Sequence, residues 1–100
     1  MIILNETIIL DPEVHNEWLS WVKAEHIPAV MATGRFKAYR ILNVLSSPNE
    51  GFTYCIQYDA DNLDQYEAYE QTAAGELKHI HIKKFENKLV LFESIMQVIN

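Results

Sequence analysis

Four histidines are the side chains of this chain whose charge changes nearest neutral pH. His26 lies in "KAEHIPAVMATGRF", two residues before Pro28, where a helix is expected to bend or stop. It could serve as a general base or a ligand contact. It could equally bond carbonyls left free at the helix end, where a partly positive ring suits the dipole. His81 falls near the end of a second helix, on the face of Leu77. Proton transfer and plain capping or packing are its two readings. His79 and His81 stand two apart and point to different helix faces, so they are not a chelating pair. His15, early in the first helix, is expected to face solvent.

The other candidates sit on strands or among the aromatics. Asn5 and Thr7 share one face of an otherwise apolar strand, and buried amides need partners. They could line a cavity between sheet and helices, or lie near a strand end with Glu6 as the buried residue. Arg40 and Gln57 could reach the same pocket from a hairpin. Arg40 could instead pair with Glu93. Trp18, Trp21, Tyr54, Tyr58, Tyr66 and Tyr69 suit a pocket with polar tips, and suit a core or interface equally well. The expected ligand-binding set is Asn5, Trp21, His26, Arg40, Gln57, Tyr66 and His81, with His26 and His81 as catalytic candidates. No glycine-rich phosphate loop or clustered ligand motif occurs, so no metal and no cofactor is expected.

These side chains need elements to hold them. Met1 to Leu10 reads as a strand, rich in Ile, Leu and Thr. Asp11-Pro12 opens a helix, with Asp11 as cap and Pro12 in the first turn. Val14, Trp18, Trp21, Val22 and Glu25 follow at helical spacing, turning both tryptophans inward. Pro28 should kink or restart the helix at Ile27, and Gly34 stops it. Arg35 to Leu45 and Phe52 to Asp59 read as strands joined by the turn "SSPNEG" into an antiparallel hairpin. Asn62 caps a second helix, with Gln65 completing a capping box. Leu63, Tyr66, Ala73, Leu77, Ile80 and Lys84 mark its inner face, and Gly75 divides it. Lys88 to about Ile95 is the last strand, and the apolar tail to Asn100 is expected to dock. The two halves echo each other weakly, each helix ending near a histidine and entering a strand through Phe36 or Phe85.

The order βαββαβ is the ferredoxin-like plan, α+β with a four-stranded antiparallel sheet, in one domain over residues 1–100. Its two helices cover one sheet face. The other face must be polar or covered, and strands two to four carry apolar residues on both parities. Two sheets are therefore expected to pack face to face as a homodimeric α/β barrel.

Composition narrows the partners. The 100 residues are 49% hydrophobic, enough for a core. Eight basic against 14 acidic residues give a net charge of −6, which argues against nucleic acid, whose phosphates demand Lys and Arg. Cys55 is the one cysteine, excluding an internal disulfide and any multi-cysteine zinc site; a small buried role is expected for it. "MIILNETIIL" lacks a basic n-region and is interrupted by Asn5-Glu6-Thr7, so neither a signal peptide nor a membrane span is expected. The expected location is the cytoplasm.

"MIILNETIIL", "EWLSWVKAEHIPAVMATGRF", "CIQYDADNLDQYEAY" and "HIKKFENKLVLFES" together resemble the domain-of-unknown-function 4286 family, nearly end to end. Trp18 with Trp21, Glu25-His26-Ile27-Pro28, Thr33-Gly34, Gln57-Tyr58, Tyr66, and His81 with Phe85 and Phe92 carry the resemblance. More broadly, the chain is similar to the dimeric α/β barrel superfamily. That superfamily includes antibiotic-biosynthesis monooxygenases, muconolactone isomerases, EthD-like proteins and Isd-type haem oxygenases. The resemblance implies the fold and the dimer. It brings no activity, since one superfold hosts many chemistries. The haem-oxygenase pattern fits loosely at Asn5 and His81, and Tyr66 stands where its tryptophan belongs, so haem degradation ranks low.

The reading is a homodimer that binds a small apolar or aromatic molecule, or that acts as a structural or interaction module. The alternative is a cofactor-independent monooxygenase or isomerase using His26 or His81. An enzyme needs either histidine aimed into an open cavity, beside Asn5, Arg40 or Gln57.

Overall fold

The structure, a computed structural model, describes residues 1–46 and 51–100. The turn expected at 46–51 falls mostly outside the described residues. Strands β1 (Ile2–Leu10), β2 (Ala38–Asn43), β3 (Phe52–Ala60) and β4 (Leu89–Gln97) form one antiparallel sheet in the order β2-β3-β1-β4. Helices α1 (residues 12–31) and α2 (residues 63–84) both cover one face of it. This is the α+β ferredoxin-like plan. β1 is central, with Leu4 opposite Tyr58 on one side and Ile95 on the other.

Side-chain alternation fixes what each face holds. Leu4, Glu6, Ile8 and Leu10 of β1 point under the helices and are all buried. Ile56 and Tyr58 join them from β3, and Trp18, Val22, Ile27, Val30 and Tyr69 from the helices. Asn5 and Thr7 belong to the opposite, open face.

Asp11 starts α1 as expected, accepting from the Glu13 amide. Around Pro28 the helix restarts at Ile27, as expected, and does not end. The chain widens to π-type turns over Val22–His26 and resumes as α-helix over Ile27–Met31. A proline ring collides with the carbonyl four residues earlier; a wider turn relieves that clash without stopping the helix. Gly34 then takes a positive φ of 75° and the helix stops.

Asn62 caps α2 by accepting from the Gln65 amide. The Gln65 side chain turns instead to Arg35, so only half of the capping box forms. Glu70–Ala74 is a second π-type stretch, which shifts the helix phase. The inner face becomes Tyr66, Tyr69, Ala73, Leu77 and His81, while Leu63, Ile80 and Lys84 stay outside. Gly75 resumes the helix without dividing it.

Two termini of elements also differ from expectation. β2 is shorter than Arg35–Leu45, although Lys37 and Val44 still bond to β3. β4 extends to Gln97, and beyond it the tail is exposed, with Ile99 86% accessible.

Candidate functional site

Glu6, His26 and His81 converge between sheet and helices. Glu6 comes from the central strand, His26 from the π-type stretch of α1, and His81 from the inner face of α2. One carboxylate oxygen and one ring nitrogen of each histidine lie within 4.8 Å of one another, and all three residues are buried. His26 Nε2 is 3.2 Å from Glu6 Oε1. The two imidazole centroids are 4.5 Å apart.

Trp18 and Trp21 complete the surround. The Trp18 Nε1–H donates to His81 Nε2 over 2.9 Å. Trp21 stands over both histidines, its centroid 5.6 Å from His26 and 5.2 Å from His81. The ammonium of Lys84 lies 5.9 Å from the Trp21 ring, close enough for a cation–π contact. Trp18 is fully enclosed, whereas Trp21 is only half-buried, so one of the two expected inward tryptophans lies at the rim.

That rim opens into a cleft of about 190 Å³ lined by Trp21, Glu25, His26, Ala29, Leu77 and Ile80. It runs between the two helices, with His26 as its most buried wall.

The electrostatics are strained toward neutrality. Burial, and then the charge of His26, lowers the His81 pKa to about 4, only partly offset by Glu6. Burial, and then Glu6, raises the Tyr58 phenol far above its ordinary range, and Tyr69 moves the same way. Two buried polar atoms have no hydrogen-bond partner among the described residues: Tyr58 Oη and His81 Nδ1. Such atoms normally find one.

The expected ligand set divides across the sheet. Trp21, His26 and His81 meet. Asn5, Arg40 and Gln57 lie on the open face, where Gln57 donates to Asn5 and Arg40 donates to Gln57 and Asp59. Arg40 therefore pairs with Asp59, not Glu93, and Glu93 pairs with Lys78. The sheet separates these groups from both histidines, because strand side chains alternate. Tyr66 bonds Glu70 and does not line the cleft; burial, and then Glu70, raise its pKa to about 12.

The minor expectations shift too. His26 bonds Glu6 rather than free carbonyls. His15 is not solvent-facing: it bonds the Tyr54 hydroxyl and stacks on Phe52 at 3.8 Å. Cys55 is half-buried on the open face, 3.6 Å from Thr7 Oγ1. Glu6 and Trp18 join the histidine cluster without belonging to the expected set. A lone acidic residue among the apolar inward positions of β1 is the signal that marks Glu6; nothing local marks Trp18.

The family model described as domain of unknown function (DUF4286) matches residues 1–99. This chain belongs to that family. No curated protein matches it in sequence. Solved structures resemble it in fold. A dimeric ferredoxin-like protein from an uncultured marine organism superposes with a TM-score of 0.73 at 12% identity, covering 99% of this chain and 95% of that one. HapK from Hahella chejuensis gives 0.72 at 12%, covering 100% and 94%. SnoaB, a cofactor-independent oxygenase from Streptomyces nogalater, gives 0.69 at 12%, covering 99% and 94%. At such identity the DUF4286 chain shares their fold, and its chemistry rests on its own residues.

Proposed function

We propose that this DUF4286 protein is a homodimer that binds a small aromatic molecule in the cleft between α1 and α2. The observation that carries the reading is His26, which lines a mostly apolar cleft while its Nε2 lies 3.2 Å from Glu6. A few polar groups in a mostly apolar hollow are the usual makings of a ligand site. The volume sets the ligand size. An apolar cavity of roughly 150 Å³ accommodates benzene, so about 190 Å³ suits one substituted ring. Trp21 offers it a stacking face.

The dimer reading rests on the open sheet face. Leu42, Val90, Phe92 and Met96 are exposed there around the Asn5–Gln57–Arg40 network. An exposed apolar patch among polar residues marks a protein contact. The matching folds include proteins named as dimeric. The protein's partners are then itself and its ligand, with no part assigned to nucleic acid or membrane, and its place is the cytoplasm. No helix among the described residues is long and apolar enough to cross a membrane.

A second reading is favoured by the same pair. A carboxylate that orients an imidazole is the arrangement of a general base, so an isomerase or oxygenase acting on the bound ring would use His26. NMR titration of the histidines against a panel of single-ring aromatics tests both. Ligand-dependent shifts at His26 support the cleft; an unmoved His26 across the panel refutes it and leaves a structural module. Turnover lost in His26→Ala with binding retained would select the enzyme.

A further inference from the structure

Two ionisable side chains line the cleft between α1 and α2, Glu25 and His26; Trp21, Ala29, Leu77 and Ile80 form the rest of its wall. Glu25 is exposed at the mouth and forms no ion pair among the described residues. Lys23, two residues away, belongs to another side of the helix. Lys78 and Lys83 pair with Glu93 and Glu86. The Lys84 ammonium lies 5.9 Å from the Trp21 ring and 5.7 Å from the Phe85 ring, and Lys84 does not line the cleft. His26 adds no net positive charge either, because Glu6 stands 3.2 Å from its Nε2. With Glu6 ionised, the pair is singly negative when His26 is neutral and uncharged when His26 is protonated. The rim of the cleft therefore carries one uncompensated carboxylate, and no lysine or arginine lines it.

We infer that the cleft selects a positively charged ligand, an arylalkylamine whose ring lies against Trp21 and whose ammonium meets Glu25. The inference rests on the cleft reading above and adds the ligand's charge to it. Only residues that line the cleft take part. A carboxylate at the rim of an apolar hollow has its field focused by the low-dielectric walls. The chain's net charge of −6 has the same sign and steers cations toward the protein. Trp21 and Glu25 stand four positions apart on α1, about one turn, so ring and ammonium need a separation of about 5–6 Å. A two-carbon chain spans that distance, and one ring with such a chain suits about 190 Å³. The ammonium stays at the exposed rim, where water completes its remaining hydrogen bonds, so no unpaired charge is buried. An arylcarboxylate of the same length would set its charge against Glu25. A neutral aryl alcohol would keep the ring contacts and lose the ion pair.

The test is calorimetric titration at neutral pH and low salt with phenethylamine, 2-phenylethanol and 3-phenylpropionate, which share one ring and a two-carbon chain. The amine is expected to bind about fivefold tighter than the alcohol, the upper end for one exposed ion pair, and the acid is expected to bind weakest. In Glu25→Gln the amine-to-alcohol ratio should fall to about one. An amine advantage that survives this substitution belongs to the overall net charge and overturns the inference. Equal binding of all three ligands, or tightest binding of the acid, overturns it too and leaves the cleft reading intact. Binding of none, with His26 unmoved in the NMR spectrum, overturns both. Should Glu25→Gln not fold, the ¹³C shift of the wild-type Glu25 carboxyl decides: movement with the amine and not with the alcohol supports the assignment, and no movement with the amine refutes it.

Discussion

Trp18 and His81 are 63 positions apart in sequence and joined by a 2.9 Å hydrogen bond between fully enclosed rings. The bond pins α1 to α2 above the central strand. A buried neutral hydrogen bond contributes about 1 kcal/mol net, and leaving one partner unpaired costs about 1–3 kcal/mol. Trp18→Phe and His81→Leu should therefore each destabilise the protein. A double-mutant cycle by urea denaturation should give a coupling of about 1 kcal/mol. Additive losses would mean that the bond contributes nothing.

His81 makes stability depend on pH. Its folded pKa of about 4 lies below the ordinary 6.5, so between those values the unfolded chain binds more protons than the folded one. Stability therefore rises with pH across that window and is lost as pH falls through it. The full effect is at most about 3 kcal/mol. Thermal melts of the wild type should drop from pH 6.5 to 4 more steeply than those of His81→Leu. Parallel profiles would assign the acid sensitivity to other groups.

Glu6 is expected to tolerate an amide better than truncation. Glu6→Gln keeps a hydrogen-bonding group for His26 and should cost about 1 kcal/mol. Glu6→Ala leaves a buried polar partner and a void, and should cost about 3 kcal/mol or more. Chemical denaturation of the two variants measures the difference. Equal losses would show that Glu6 matters by volume alone.

Two glycines should respond unequally to alanine. A Cβ on Gly34 meets nothing within 4 Å, so only its positive φ of 75° penalises the change, by about 1 kcal/mol. A Cβ on Gly51 would stand 2.0 Å from the Leu10 carbonyl oxygen, a backbone atom. The sheet would have to shift, and overpacking alone costs about 1–3 kcal/mol. Melting temperatures should rank wild type, Gly34→Ala, Gly51→Ala in descending order.

Phe92 stands on the open sheet face opposite Thr7 and is half exposed in the single chain. In the dimer, Phe92→Asp would bury an unpaired charge. Light scattering should find a dimer at micromolar wild-type concentration and a monomer for Phe92→Asp. A monomeric wild type would remove the dimer from the reading.

The elements and their order were legible in the sequence because their signals are local. Asp11-Pro12, Asn62 and Gly34 act within one helical turn, and the strands announce themselves through β-branched residues and period-two alternation. Periodicity failed where the helices change pitch. The π-type stretches at Val22–His26 and Glu70–Ala74 add a phase shift that no fixed-spacing count contains. That shift moved Leu63, Ile80 and Lys84 off the expected inner face, while His81 kept the face of Leu77. Parity along β1 was readable only up to a choice of face: Asn5 and Glu6 are neighbours, and one of them had to point away from the helices. Packing decided it, because only the helix side offers Glu6 the imidazole of His26. The sequence by itself determined the strands, the helices, their caps and the family. The tertiary structure alone decided that positions 6, 18, 26 and 81 meet, because hydrogen bonds across 20 and 63 residues leave no trace in local spacing.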